Sequence, residues 1–280
     1  MQQDFRGPIG YLHRAMMATA NAVSRPEFPL RRWLSPLYTH LLFLLGGGGV
    51  PGEINGETYR LDPRYRWRLW PDYEAELASY LRDRVRPGQL CVDVGANIGV
   101  YVLQIARWTA PAGRIVAFEP NAATFAVLRR HVRINGLSSR VTLERMAVGR
   151  SAGTVQLFDT NPGSGLSRIG AANPAIVGPA DSRDVPMTTL DQYFRSADRV
   201  PDWILIDVEG YEFDALAGGS DIIRRGANVI VEMHPHLWPG GEVTRAEGER
   251  LLAALGRRLV PISGHGDPWA VGIAALEPVN

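Results

Sequence analysis

The sequence predicts an α/β fold, a mostly parallel sheet with helices on both faces, behind an N-terminal extension. Three observations predict it. From Gln89 onward, short apolar runs alternate with helical patterns. The stretch LCVDVGANIGVYVLQIA, Leu90 to Ala106, passes from strand to helix through Gly95 and Gly99. The second apolar run ends in an acid, Glu119, twenty residues after Gly99.

Taken in order, residues 1 to about 50 read as helical and irregular, broken by Pro26, Pro29 and Pro36 and ended by Gly46 to Gly49. The apolar stretch 34–45 holds only five consecutive large apolar residues, Leu41 to Leu45, far short of the ~20 needed to span a bilayer. It is expected to pack on the protein, with contact to a membrane surface or cover over a pocket as alternatives. Asn55-Gly56 sits between short alternating runs and favours a type I′ hairpin turn. RYRWRLW is expected as a strand with Arg64, Arg66 and Arg68 on one face. A helix from about Asp72 to Val85 stops at Pro87-Gly88.

Strands are then predicted at 90–95, 114–119, 140–145, 202–208 and 228–233, and helices at 98–108, 121–134 and 211–225. Asn121 can cap the second of these helices and Asn135-Gly136 can end it. Residues 149–190 interrupt the alternation with TVQLFDT, a Gly/Ser/Pro-rich loop and RDVPMTTLDQYF, an insertion expected over the sheet's edge or mouth. In that insertion GSGLSRIG could act as a lid or a linker. Thr244 and Glu247 can form a capping box for a helix to about Arg257. RLVPIS and WAVGIAAL can close the fold as an antiparallel hairpin. The domain division expected is 1–70, a helical and hairpin extension, and 71–280, the α/β domain.

Composition excludes several classes. A chain of 280 residues with 45% hydrophobic and 21% charged residues has the balance of a globular protein. The formal charge of +1 provides no overall pull toward nucleic acid, so no nucleic-acid partner is expected. All 30 basic residues are arginine, read as compositional bias. The single Cys91 excludes an intrachain disulfide framework, and a start without a secretory signal pattern fits a cytoplasmic location.

In an open parallel sheet ligands bind beyond the carboxyl ends of the strands. DVGANIG lies at such an end, where Gly95 and Gly99 would let a ligand approach the backbone and the helix N-terminus offers free N–H groups. Glu119 is placed to accept both hydroxyls of a ribose. A dinucleotide site would show G-x-G-x-x-G; here the spacing is Asp93-x-Gly95-x-x-x-Gly99. A carboxylate beside the turn repels a pyrophosphate but suits an ammonium and a sulfonium, which favours S-adenosylmethionine.

VDVGANIGVYVLQIA, GRIVAFEPN, RINGL, MAVG and IDVEGYE, in this order, resemble the FkbM family of S-adenosylmethionine-dependent methyltransferases. The resemblance covers roughly residues 74 to 235. It implies a Rossmann-like class I methyltransferase fold with seven strands, and O-methylation of sugar or natural-product hydroxyls. It also implies that Asp93, Gly95, Ala96, Asn97 and Gly99 cradle the methionine part of the cofactor. Glu119 would then hold the ribose, Pro120 and Asn121 flank the adenine, and Met146 and Ala147 contact its edge. Asp207 would stand beside the methionine amine or the acceptor. Relatives often carry lysine two residues before this Asp; here Leu205 stands there, so no role of that lysine transfers.

Methyl transfer needs in-line positioning and a base for the hydroxyl proton. His234, with an ordinary pKa, and Asp207 are the candidates at strand ends. Glu209 could join them or brace the following helix, and His236 reads as loop structure. Asp207, Glu232 and His234 could hold a divalent metal, but their separation carries no ligand-spacing signature and no metal is assigned. Tyr73 and Glu74 could close over the cofactor or belong to a plain amphipathic helix. The expected acceptor is a small molecule or glycan. The alternatives are N-methyl or aminopropyl transfer in the same pocket, or a noncatalytic binding module.

Overall fold

The computed structural model describes residues 43, 49–65, 72–159, 167–169, 182–238, 242–264 and 266–279. The expectations for 1–42 and for Arg66 and Arg68 lie outside them. The chain divides into two compact units, Met1–Pro71 and Asp72–Asn280.

In the first unit β1 (Val50–Ile54) and β2 (Glu57–Leu61) pair antiparallel about Asn55 and Gly56, at φ 49 and 79. Both turn residues thus take the positive φ of a type I′ turn. The expected strand does not continue through Arg64. Asp62 accepts from the Arg64 backbone N–H at 2.9 Å and from its guanidinium at 2.8 Å, while Tyr65 N–H reaches the Asp62 carbonyl. These bonds turn the chain at 63–65.

The second unit opens with α1 (Ala75–Arg82) and continues as β3 (Leu90–Val94), α2 (Val100–Trp108), β4 (Arg114–Phe118), α3 (Ala122–Ile134), β5 (Val141–Glu144) and β6 (Ala147–Val148). Next come β7 (Gly153–Asp159), β8 (Ser167–Ile169), β9 (Ser182–Thr188), α4 (Leu190–Tyr193) and β10 (Trp203–Ile206). It closes with α5 (Glu212–Gly218), α6 (Ser220–Arg224), β11 (Asn228–Met233), α7 (Glu242–Leu255), β12 (Arg257–Pro261) and β13 (Gly272–Pro278). Seven strands form one sheet in the order β12-β13-β11-β10-β3-β4-β5, and four form a second, β6-β9-β7-β8. The five strands from β11 to β5 are parallel; β13 runs antiparallel to β11 and β12, as the expected closing hairpin requires.

Strand alternation sends residues to two cores. Val92, Val94, Ile204 and Ile206 pack on one face with Phe213, Leu216, Ile223 and Leu252. Cys91, Ile115, Ala117 and Leu205 pack on the other with Leu81, Val102, Ile105 and Leu128. Each fully buried Leu, Ile or Phe contributes about 1.5–3 kcal/mol. Chain order reverses between β3 and β10, the place where parallel sheets bind ligands.

Asn121 caps α3 as expected, its Oδ1 accepting from Ala123 N–H at 2.8 Å, and Gly136 follows it at φ 70. Two helices differ from expectation. The segment 211–225 is divided at Gly219, because Asp191 accepts the Asp221 and Ile222 amides and so caps a separate α6. α7 begins at Glu242, so Thr244 and Glu247 lie inside the helix and form no capping box there. The insertion builds the second sheet instead of only a loop; of GSGLSRIG, only Ser167–Ile169 falls within the described residues. Among the described residues, no helix is long and apolar enough to cross a membrane.

Candidate active site

The carboxyl ends of β3, β4 and β10 surround a cavity that opens to solvent. Of the residues expected at the site, Gly95, Asn97, Glu119, Pro120, Met146, Ala147, Asp207 and Glu209 line it. Leu157 from β7 and Val208 line it too, and the sequence reading missed both. Leu157 belongs to the insertion, whose strand pattern gives no sign that it faces a ligand.

Both glycines of the first turn are required by the protein's own chain. Gly95 has φ 87, and a Cβ there would stand 1.7 Å from the Asp207 carbonyl oxygen. Gly99 has φ 89, and its Cβ would stand 2.5 Å from Leu128 Cδ1. Close approach of the backbone ending β10 and packing of α3 each require glycine here, and Gly95 also lines the cavity. Ala96 is buried, and its amide, like that of Gly95, donates to the Phe118 carbonyl.

Glu119 is buried and binds this turn. Its Oε2 accepts the Asn97 N–H and its Oε1 the Asn121 N–H, each at 2.8 Å. A carboxylate has about four acceptor sites, and the Thr124 hydroxyl shares them with the two amides. Burial pushes Glu119 up to about 6 against those amide bonds. Asp93, also buried, is pushed up to about 7 by burial and by the charges of Glu119 and Glu74. Both acids therefore gain from a cation or a hydrogen-bond donor brought by a ligand.

Beyond Asp207 lies a second group of side chains. Glu212, fully buried, accepts from His234 Nδ1 at 2.9 Å, Trp238 Nε1 at 3.0 Å and Gly210 N–H at 2.8 Å. It thereby turns His234 Nε2 toward three carboxylates, with Glu232 at 3.5 Å, Glu209 at 3.8 Å and Asp207 at 4.0 Å. Asp207 Oδ1 is sealed from solvent without a hydrogen-bond partner among the described residues, although the side chain as a whole is 46% exposed. Burial and Glu232 raise the Asp207 carboxyl well above the usual range, opposed by His234. Burial lowers the His234 pKa, but Glu212, Glu232 and Asp207 outweigh it and bring it up to about 11. The ordinary pKa expected for His234 is thus corrected: these carboxylates make the imidazole hold its proton more tightly than a free histidine does. The bracing carboxylate is Glu212, whereas the sequence points to Glu209 for that task.

Glu74 accepts from Tyr101 Oη at 2.7 Å, and the rings of Tyr73 and Tyr101 lie 6.1 Å apart. Burial and Glu232 raise the Glu74 pKa, opposed by Tyr101 and His234. Glu74, Asn97 and Glu209 hold φ 42, 50 and 50, a left-handed conformation that costs a non-glycine residue about 1–2 kcal/mol. Away from the hairpin turn, these are the positive-φ non-glycine residues among those described. Backbone strain of this kind gathers at functional sites. Leu205 is buried in the core, so no charge replaces the absent lysine.

Residues 93–259 match the model of the methyltransferase FkbM domain. The chain belongs to the FkbM methyltransferase family. Among FkbM-type relatives, the 31-O-demethyl-FK506 methyltransferase FkbM of Streptomyces tacrolimicus is 30% identical over 215 residues, 67% of this chain and 76% of that protein. Methyltransferase sdnD of Sordaria araneosa is 30% identical over 171 residues, half of this chain and 64% of that protein. The crystal structure of a methyltransferase FkbM from Methylobacillus flagellatus aligns over 71% of this chain and 50% of that one, at 17% identity and a TM-score of 0.46. The activity of the FkbM family is methyl transfer, and S-adenosylmethionine is the donor that goes with it.

Proposed function

We propose that the protein is an S-adenosylmethionine-dependent O-methyltransferase acting on a hydroxyl of a small-molecule or glycan acceptor. One observation carries this reading: Asp207 borders both the cavity and the acid–histidine cluster, so it links donor and acceptor ends. In the donor end, Asp93 takes the methionine ammonium and Glu119 the ribose hydroxyls. Gly95, Ala96, Asn97 and Gly99 shape the methionine side, and Pro120, Asn121, Met146 and Ala147 the adenine side. Tyr73 and Glu74 belong at the rim.

In the acceptor end, a hydroxyl donates to the exposed side of the Asp207 carboxylate, which is 46% exposed as a side chain. The sulfonium already activates the methyl carbon, so the protein supplies alignment and a proton acceptor. The C–S bond breaks as the C–O bond forms, and sulfur keeps the electron pair. The proton passes to Asp207 or Glu209, while His234 provides the positive charge that holds these carboxylates. The domain division at residues 70/71 and a cytoplasmic location belong to the same reading.

The test incubates the enzyme with methyl-labelled S-adenosylmethionine and a panel of hydroxylated and aminated small molecules, and identifies products by mass spectrometry. The expected product is a methyl ether, abolished by Asp207→Asn. Label found solely on nitrogen would overturn the oxygen assignment.

A further inference from the structure

We infer that the Asp207, Glu232 and His234 side chains form a site for one divalent cation, Mg²⁺ or Mn²⁺. The site goes beyond the methyl-transfer reading and depends on it only for its catalytic meaning. Three potential ligand atoms, one from each residue, lie within 4.8 Å of one another. An ion bonded at about 2.1 Å sets neighbouring ligand atoms ~3.0 Å apart and opposite ones ~4.2 Å apart. The distances from His234 Nε2 to Glu232 and Asp207, 3.5 and 4.0 Å, fall between those limits.

Two further features separate this group from a chance gathering of acids. The His234 side chain is only 8% exposed, and its Nε2 faces the Glu232, Glu209 and Asp207 oxygens at 3.5, 3.8 and 4.0 Å, with Glu232 as its hydrogen-bond partner in the absence of an ion. Its ring is held by Glu212, which accepts the Nδ1 proton and leaves Nε2 to face the cluster. A buried carboxylate behind a ligating histidine is the arrangement by which proteins fix the tautomer and orientation of a metal ligand. Asp207 Oδ1 is likewise shut off from solvent with no donor among the described residues. The carboxylate oxygens suit hard ions such as Mn²⁺ and Mg²⁺, while the imidazole nitrogen is a ligand that borderline ions share. Glu209 Oε2, 3.8 Å from Nε2, adds negative charge without being needed as a ligand.

An ion there would take the position of the Nε2 proton. Its remaining coordination positions would face water or the acceptor's oxygen, whose pKa it would lower. The five side chains come from two separate segments, 207–212 and 232–234. This explains why no ligand spacing is visible in sequence.

The experiment titrates Mn²⁺ into chelator-treated full-length protein and follows free Mn²⁺ by electron paramagnetic resonance. Calorimetry with S-adenosylhomocysteine is run on the same preparation. Expected is one Mn²⁺ per chain, weakened about tenfold or more by Glu232→Gln and by Asp207→Asn. Glu249→Gln, on exposed surface, leaves it unchanged. No uptake by the wild type at millimolar Mn²⁺ overturns the inference, as does uptake unaffected by either site variant. Mn²⁺ binding without homocysteine-ligand binding would contradict the methyl-transfer reading and leave the cation site standing.

Discussion

Two buried acids make the donor end of the site sensitive to pH. Asp93 and Glu119 rise to about 7 and about 6 from ordinary values of 3.8 and 4.5. A raised folded-state pKa means the native protein holds these protons more tightly than the unfolded chain. Their contribution to stability is therefore full at low pH and fades as pH climbs from about 4 through 7. A ligand offering an ammonium and two hydroxyls reverses the preference, since it pairs with the ionised forms. The rise in melting temperature caused by S-adenosylhomocysteine should consequently be larger at pH 8 than at pH 5.5; differential scanning fluorimetry reads it. Gly95 gives a second prediction at this scale. Gly95→Ala puts a methyl onto the Asp207 carbonyl at φ 87, so it should cost at least ~2 kcal/mol and lower the melting temperature by several degrees. A melting curve matching wild type would contradict the close approach described here.

At the scale of elements, the loop and helix after β10 organise the acceptor end. Glu212 lies in the first turn of α5 and joins it to β11 through His234 and to the 3₁₀ turn Pro235–Leu237 through neighbouring Trp238. Glu212→Ala would leave three donors without their acceptor, at about 1–3 kcal/mol for each that stays buried and unpaired. Chemical denaturation should show a loss of several kcal/mol. Glu212→Gln keeps an acceptor oxygen and should recover much of that loss while shifting the pH–rate profile, a change that packing alone would not produce.

This region also shows what sequence could and could not reveal. DVGANIG and FEPN were legible because a strand-to-helix turn and an acid ending the next strand recur at fixed spacing; Glu119 lines the cavity, while Asp93 is buried in β3 and is not among the lining residues. IDVEGYE was legible as a site but not in its division of labour. Glu209 and Glu212 differ by three positions, and the packing around His234 decides which one is buried. The break at Gly219 was hidden for a similar reason: its cap, Asp191, lies thirty residues from Asp221 in sequence.

For the whole molecule, the seven-stranded sheet was readable from its strand–helix alternation, whereas the second sheet was not. Its strands β7 and β9 are separated by a Gly/Ser/Pro-rich stretch whose period gives no pairing partner. If residues 72–280 carry the complete methyl-donor site, that fragment alone should melt cooperatively and bind S-adenosylhomocysteine as the full chain does. Loss of binding in a folded fragment would show that residues 1–71 contribute to it. On the proposed reading, the cavity between β3, β4 and β10 is an S-adenosylmethionine site gripped by Glu119. Isothermal titration calorimetry with S-adenosylhomocysteine tests it most directly. One ligand per chain should bind, with affinity reduced about tenfold or more in Glu119→Gln, a loss of about 1.4 kcal/mol or more. Absence of binding at high micromolar ligand, or an affinity unchanged by that substitution, would contradict it.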